Sequence, residues 1–160
     1  MSHAVYEDHP DGRQPTTYEL VRDFEAIRWL EDNVEGSPVI LEGIAPPYRW
    51  GSRVSVYTDL PTVLGWDWHQ QQQRAGYSAL IERRKEDVQT MLGEVGRFKA
   101  IRPLLDKYNV HYIYVGELER AYYDDRALRK FDRAVAAGQL TLVYDHRGVR
   151  IYRYDVGERN

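Results

Sequence analysis

Between Tyr48 and Arg74 the chain concentrates side chains that could hold a ligand. Trp50, Arg53 and Tyr57 lead into Trp66, Asp67, Trp68, His69 and Gln70, and three of the four tryptophans fall in this stretch. Indole and phenol rings offer flat amphipathic faces, and arginine forks onto carboxylate or phosphate oxygens. Asp and Gln supply the paired hydrogen bonds that hydroxyl-rich ligands need. The set suits a sugar, a lipid-linked phosphate or a peptide. The same residues would also serve to pin long loops to a sheet, with Arg53 and Asp67 tying down loop backbone. A second group, Glu117, Glu119 and Arg120, directly follows the apolar run Tyr112 to Val115. Ligand sites in α/β proteins favour the carboxyl ends of strands, so this group is placed to share a crevice with the Trp66 to His69 loop. Local capping and pairing around the next helix is the simpler role for Glu119 and Arg120.

Other chemistries find little support. The five histidines show no i, i+4 pair and no His-Glu-x-x-His, so no metal site is expected. No Gly-x-Gly-x-x-Gly, phosphate-binding loop or Gly-x-Ser-x-Gly elbow occurs, and no cofactor is expected. A Ser-His-Asp set would need the fold to bring Ser52, Ser55 or Ser78 to His69. Paired carboxylates for glycoside hydrolysis could be drawn from Glu42, Asp67 and Glu117.

The elements that must position these groups can be read from periodicity. Residues 1–15, broken by Pro10, Gly12 and Pro15, read as a flexible lead-in, residues 16–155 as a single α/β domain and 156–160 as a tail. Thr16 to Glu19 has capping-box spacing, and Leu20, Phe24, Ile27, Leu30 and Val34 then mark an amphipathic helix stopped by Gly36 and Pro38. Val39-Ile40-Leu41 follows as a buried strand. The alternation from Arg53 to Thr58 predicts a short strand among long loops. Ile81, Val88, Met91, Leu92 and Val95 share one face of a second helix. Ile101, Leu104, Leu105 and Tyr108 define a third, with Pro103 expected in or near its first turn and Asn109 as its stop. Tyr112 to Val115 predicts a central strand covered on both sides. Asp124 or Asp125 caps a fourth helix closed by Gly138, and Leu140 to Ile151 folds as a hairpin through His146-Arg147-Gly148. The expected architecture is a mixed β-sheet packed by about four helices and ending in a C-terminal β-hairpin.

Composition narrows the function classes. The 160 residues are 42% hydrophobic and 29% charged, which is ordinary for a globular domain. A formal charge of -3 provides no overall basic field for a phosphate backbone, so nucleic acid is not an expected partner. With no cysteine, disulfides within the chain, thiolate-ligated zinc and thiol catalysis are excluded. No apolar run approaches the roughly 18 to 20 residues that cross a bilayer.

Two long stretches carry a resemblance. The first runs Ala26-Ile27-Arg28-Trp29-Leu30, Asn33-Val34, Gly36, Pro38 to Glu42, then Trp50 to Thr58, Leu60 to Trp66 and Trp68-His69-Gln70. The second runs Leu105, Tyr108, Val110, Tyr112 to Gly116, Leu118-Glu119-Arg120, Tyr122-Tyr123, Lys130-Phe131 and the final hairpin. Together they cover most of residues 20–154 and resemble the soluble C-terminal region of YYY-type polytopic membrane proteins. These are similar in plan to the GT-C glycosyltransferases, which use sugars carried on polyprenyl phosphates. The resemblance implies an extracytoplasmic domain whose partners are its own transmembrane region and a glycan or polyprenyl-linked sugar. The catalytic acid of GT-C enzymes generally lies on a loop between membrane helices, so the domain alone is expected not to catalyse transfer. The tyrosine motif that names the family is not in this sequence. Two alternatives stand beside it: a free-standing soluble enzyme using Glu42, Asp67, His69 or Glu117, and a protein-interaction module.

Overall fold

A computed structural model describes residues 3–6, 16–46, 50–65 and 78–156. The elements in chain order are β1 (His3–Tyr6), β2 (Thr16–Glu19), α1 (Leu20–Asn33), β3 (Val39–Leu41), α2 (Arg53–Thr58) and α3 (Ser78–Gly93). They continue with α4 (Phe98–Lys107), β4 (Val110–Val115), α5 (Glu117–Tyr122), α6 (Asp125–Ala136), β5 (Thr141–His146) and β6 (Val149–Arg153). The architecture is mixed α/β, as the periodicity predicts.

The main sheet has the order β3-β4-β6-β5. β3 and β4 are parallel, whereas β6 runs antiparallel to both β4 and β5. β4 is thus interior, and the period-2 alternation of its side chains feeds two separate cores. Leu41, Ile113, Val115 and Tyr152 face a layer built by α3, α4 and α6, through Ile81, Met91, Leu92, Ile101, Leu105 and Phe131. Ile40, Tyr114 and Ile151 face the opposite layer, where Ala26, Ile27 and Leu30 of α1 meet Val54 of α2. The outer edge of β3 is covered by the segment after α2, because Ile40 N donates to Pro61 O at 2.8 Å. Asn109 (φ 51°) stops α4, and the two-residue turn Arg147-Gly148, both at positive φ, closes the final hairpin.

Several expectations change, among them Val95, which lies beyond the end of α3 and is exposed rather than on its inward face. Thr16 to Glu19 pairs with His3 to Tyr6 as a strand, so α1 begins at Leu20 without the capping box, and part of the expected lead-in is β-structure. Phe24 is exposed, because the inward stripe of α1 runs Asp23, Ala26, Ile27, Leu30. Pro103 is the sixth residue of the ten-residue α4 rather than part of its first turn. Arg53 to Thr58 is helical. Its alternation is too short to separate a strand from a helical turn, and Glu42 decides the matter by accepting the N–H groups of Val54 and Ser55 at the helix start. Positive φ at Ser52 and Asp59 bounds the helix on both sides.

One charged side chain lies in the larger core region. Lys130 of α6 is buried and donates Nζ to Leu92 O (3.2 Å) and Glu94 O (3.0 Å), closing the carboxyl end of α3. Burial lowers its pKa from 10.5 to about 8. The unfolded chain therefore binds the extra proton across that interval, and this group adds stability as pH rises from about 8 towards 10.5. Lys130→Met should flatten this part of the profile. Unfolding free energies of both proteins at pH 7 and pH 10 check it: the wild type should gain on the variant at pH 10, and parallel profiles would refute the assignment.

Candidate functional site

The parallel strands β3 and β4 end side by side, and the residues just beyond them build a buried charged cluster. Arg53, the first residue of α2, lies at its centre. Its Nε and Nη2 donate to the two carboxylate oxygens of Asp23 on α1, at 2.8 and 3.1 Å. Its Nη1 and Nη2 donate to those of Glu119 on α5, at 3.2 and 2.9 Å. Tyr114 of β4 donates its hydroxyl to Asp23 Oδ1 at 2.6 Å, and the guanidinium lies over the Tyr114 ring. Glu119 also accepts the backbone N–H groups of Gly43 (2.9 Å) and Gly116 (2.8 Å), which joins the carboxyl ends of both strands to α5.

Two glycines make this approach possible. A Cβ at Gly43 would lie 2.8 Å from Glu119 Oε1, and one at Gly116 would lie 3.0 Å from both Arg53 Nη2 and Asp23 Oδ1. Neither position has room for a larger side chain without moving the cluster. Glu42 completes the group from the other side. Burial pushes its carboxyl pKa up, opposed by the Arg53 charge and by the N–H groups of Ser55 and Val54. Burial alone would favour neutral Arg53, but its carboxylate partners, Asp23 foremost, hold it charged.

The predicted site residues separate into distinct environments. Arg53 and Glu119 come together, but inside the protein, at 3% and 0% exposure. They tie elements together, and Glu119 also accepts the N–H of Gly116 at the start of its own helix, the local capping role considered for it. Glu42 is equally buried at 2% and serves α2. Trp50 and Tyr57 flank Arg53 in the chain and are exposed at 39% and 52%. Glu117 begins α5 and pairs with Arg22 at 2.5 Å. Arg120 is half-buried in the last turn of α5. Trp66, Asp67, Trp68, His69 and Gln70 lie outside the described residues, so a shared crevice with the Glu117 group is not defined. Of the serines considered for a nucleophile, Ser52 is buried and Ser55 is half-buried at the start of α2. Among the described residues, no three His, Asp or Glu side chains are grouped to hold a metal.

Asp23 and Tyr114 are the members that the sequence reading missed. The signal for Asp23 was present: with Ala26, Ile27 and Leu30 it completes a helical stripe better than Phe24 does. Tyr114 reads as one more apolar strand residue, and only the tertiary structure places its hydroxyl on a carboxylate. No family model matches this chain, and no curated protein matches it.

Replacing Arg53 by Met would leave the Asp23 and Glu119 carboxylates buried without their partner, a loss of about 3 to 5 kcal/mol. Arg53→Lys should rescue little of this, since one ammonium cannot reproduce a fork shared by two carboxylates. Urea unfolding checks both variants. A midpoint near wild type for Arg53→Lys would show that charge alone, without the fork, holds the cluster.

Proposed function

We propose that the chain is a noncatalytic extracytoplasmic domain of a GT-C-like polytopic membrane protein. In this reading it contacts a glycan, a polyprenyl-linked sugar or the membrane part through the aromatic surface around α2. The observation that carries the noncatalytic part is the internal engagement of Arg53, Asp23, Glu119 and Glu42. A general acid or base must reach a substrate proton, and these groups instead spend their hydrogen bonds on one another and on backbone. The same cluster supports a binding role for what lies outside it. Phe24 follows Asp23, and Trp50, Val56 and Tyr57 flank Arg53, all four exposed. Rigid aromatics beside a fixed framework are efficient contact residues because little side-chain entropy is lost on binding. The membrane and extracytoplasmic parts of the proposal rest on the resemblance of residues 20–154 to the YYY-type region. No helix among the described residues is long and apolar enough to cross a membrane. The soluble-enzyme alternative is weakened, because Glu42 is buried as a helix cap and Glu117 is paired with Arg22.

An immunoblot of fractionated source cells tests the first half. A band much larger than 18.8 kDa confined to membranes is expected; a soluble band at that mass would overturn the proposal. For the second half, Trp50→Ala with Tyr57→Ala should change the domain's stability by no more than about 1 kcal/mol, as surface substitutions do. The pair should lower turnover of the full-length protein about tenfold. Unchanged turnover would remove this surface from the mechanism.

A further inference from the structure

Outside the buried cluster, two guanidinium groups converge on the turn between β5 and β6. A Cβ at Gly148 would lie 3.4 Å from Arg120 Nη2 and 4.0 Å from Arg22 Nη1, so both cations stand within 4.0 Å of one point. Arg22 belongs to α1, Arg120 to α5 and Gly148 to the hairpin turn at φ 85°. Three separate elements thus deliver two forks and a bare stretch of backbone to one place.

The carboxylates nearby each have a cation or N–H partner, with Glu25 Oε2 accepting no hydrogen bond among the described residues. Glu117, one turn before Arg120, accepts from Arg22. Glu119, its chain neighbour, is spent on Arg53 and the two glycine N–H groups. Glu25 accepts from Arg147 at 3.0 Å, with His146 Nε2 at 3.7 Å. Among the described residues, the Arg120 side chain has no ion pair or hydrogen bond. A half-buried guanidinium has lost part of its water without gaining an anion, and a fork of this shape matches phosphate oxygens.

We propose that Arg120 and Arg22, over Gly148, form a binding site for a phosphate-class oxyanion, with Glu117 as the internal carboxylate that competes for Arg22. The site does not depend on whether the chain is joined to a membrane region. It gives a phosphate group, free or on a lipid, a defined place on the domain.

Titration of the full chain with pyrophosphate, followed by arginine Nε and Gly148 amide NMR signals, tests this. Saturable shifts are expected for pyrophosphate and not for chloride at equal ionic strength. Arg120→Gln should weaken binding at least tenfold. Glu117→Gln removes the carboxylate charge that Arg22 Nη1 meets and should tighten binding severalfold, a gain that general destabilisation would not produce. Flotation with phosphatidic acid vesicles, against phosphatidylcholine vesicles, separates the sources. Capture by phosphatidic acid, lost in Arg120→Gln and without a response to pyrophosphate, assigns the site to a lipid headgroup. A response to pyrophosphate assigns it to a soluble phosphate. Absence of both, or binding indifferent to Arg120→Gln and Glu117→Gln, overturns the proposal. The fractionation blot is unaffected by any of these outcomes.

Discussion

One guanidinium holding two buried carboxylates is the constraint on which the α1, α2 and α5 side of this structure depends. Arg53 has a fixed planar fork, so satisfying Asp23 and Glu119 together fixes the relative placement of α1, α2 and α5. The arrangement is not an economical source of stability, because desolvating three charges costs several kcal/mol per ion before their attraction is counted. Its consequence is positional. Apolar side chains of similar volume could slide over one another, whereas this pair of forks can close in one geometry.

The strand ends supply the rest of that geometry. Gly43 and Gly116 lie just beyond two parallel strands, and each gives an N–H to the same carboxylate while leaving the space it occupies. In many α/β proteins the corresponding crevice receives a ligand. Here the protein's own Arg53 fills it. Glu42 then uses the remaining exit from β3 to start α2, so an alternating β-branched segment becomes helix and its Val56 and Tyr57 turn outward. The exposed aromatic surface is therefore a product of the buried electrostatics.

The elements legible in the sequence were those whose stabilising contacts repeat with a single period. β4 carries continuous apolar β-branched and aromatic residues, α6 has a side-chain cap at Asp124 and a glycine stop, and the final hairpin has its turn residues in place. The strand β3 and the stops at Gly36 and Asn109 were legible for the same reason. Two of the failures were decided at a distance. The helical state of Arg53 to Thr58 depends on a carboxylate eleven residues before it in the chain. The pairing of Thr16 to Glu19 depends on His3 to Tyr6, which local capping rules do not see. In the candidate site the capping role of Glu119 was legible, and its meeting with Arg53 was not. Charged residues are usually exposed, and nothing local in the chain shows that two of them meet inside.

The two layers of the core differ in the kind of interaction that holds them. The layer of α3, α4 and α6 is mainly apolar; it contains Lys130, whose Nζ closes a helix end against backbone carbonyls, and at its margins tyrosine hydroxyls meet Asp87, Asp106 and Asp132. The layer of α1 and α2 adjoins the charged cluster, the exposed aromatics and the arginines over Gly148. β4 presents Ile113 and Tyr114 to opposite sides, and Tyr123 of the first layer reaches the cluster more directly, its N–H donating to Glu119 O and its hydroxyl accepting from Ile44 N. A change to Asp23, Tyr114 or Gly116 acts on it directly, since each contacts either Arg53 or its carboxylates. The face of α3, α4 and α6 is held by most of the large apolar side chains, and the face of α1, α2 and α5 by directional bonds that fix the geometry of the surface above them.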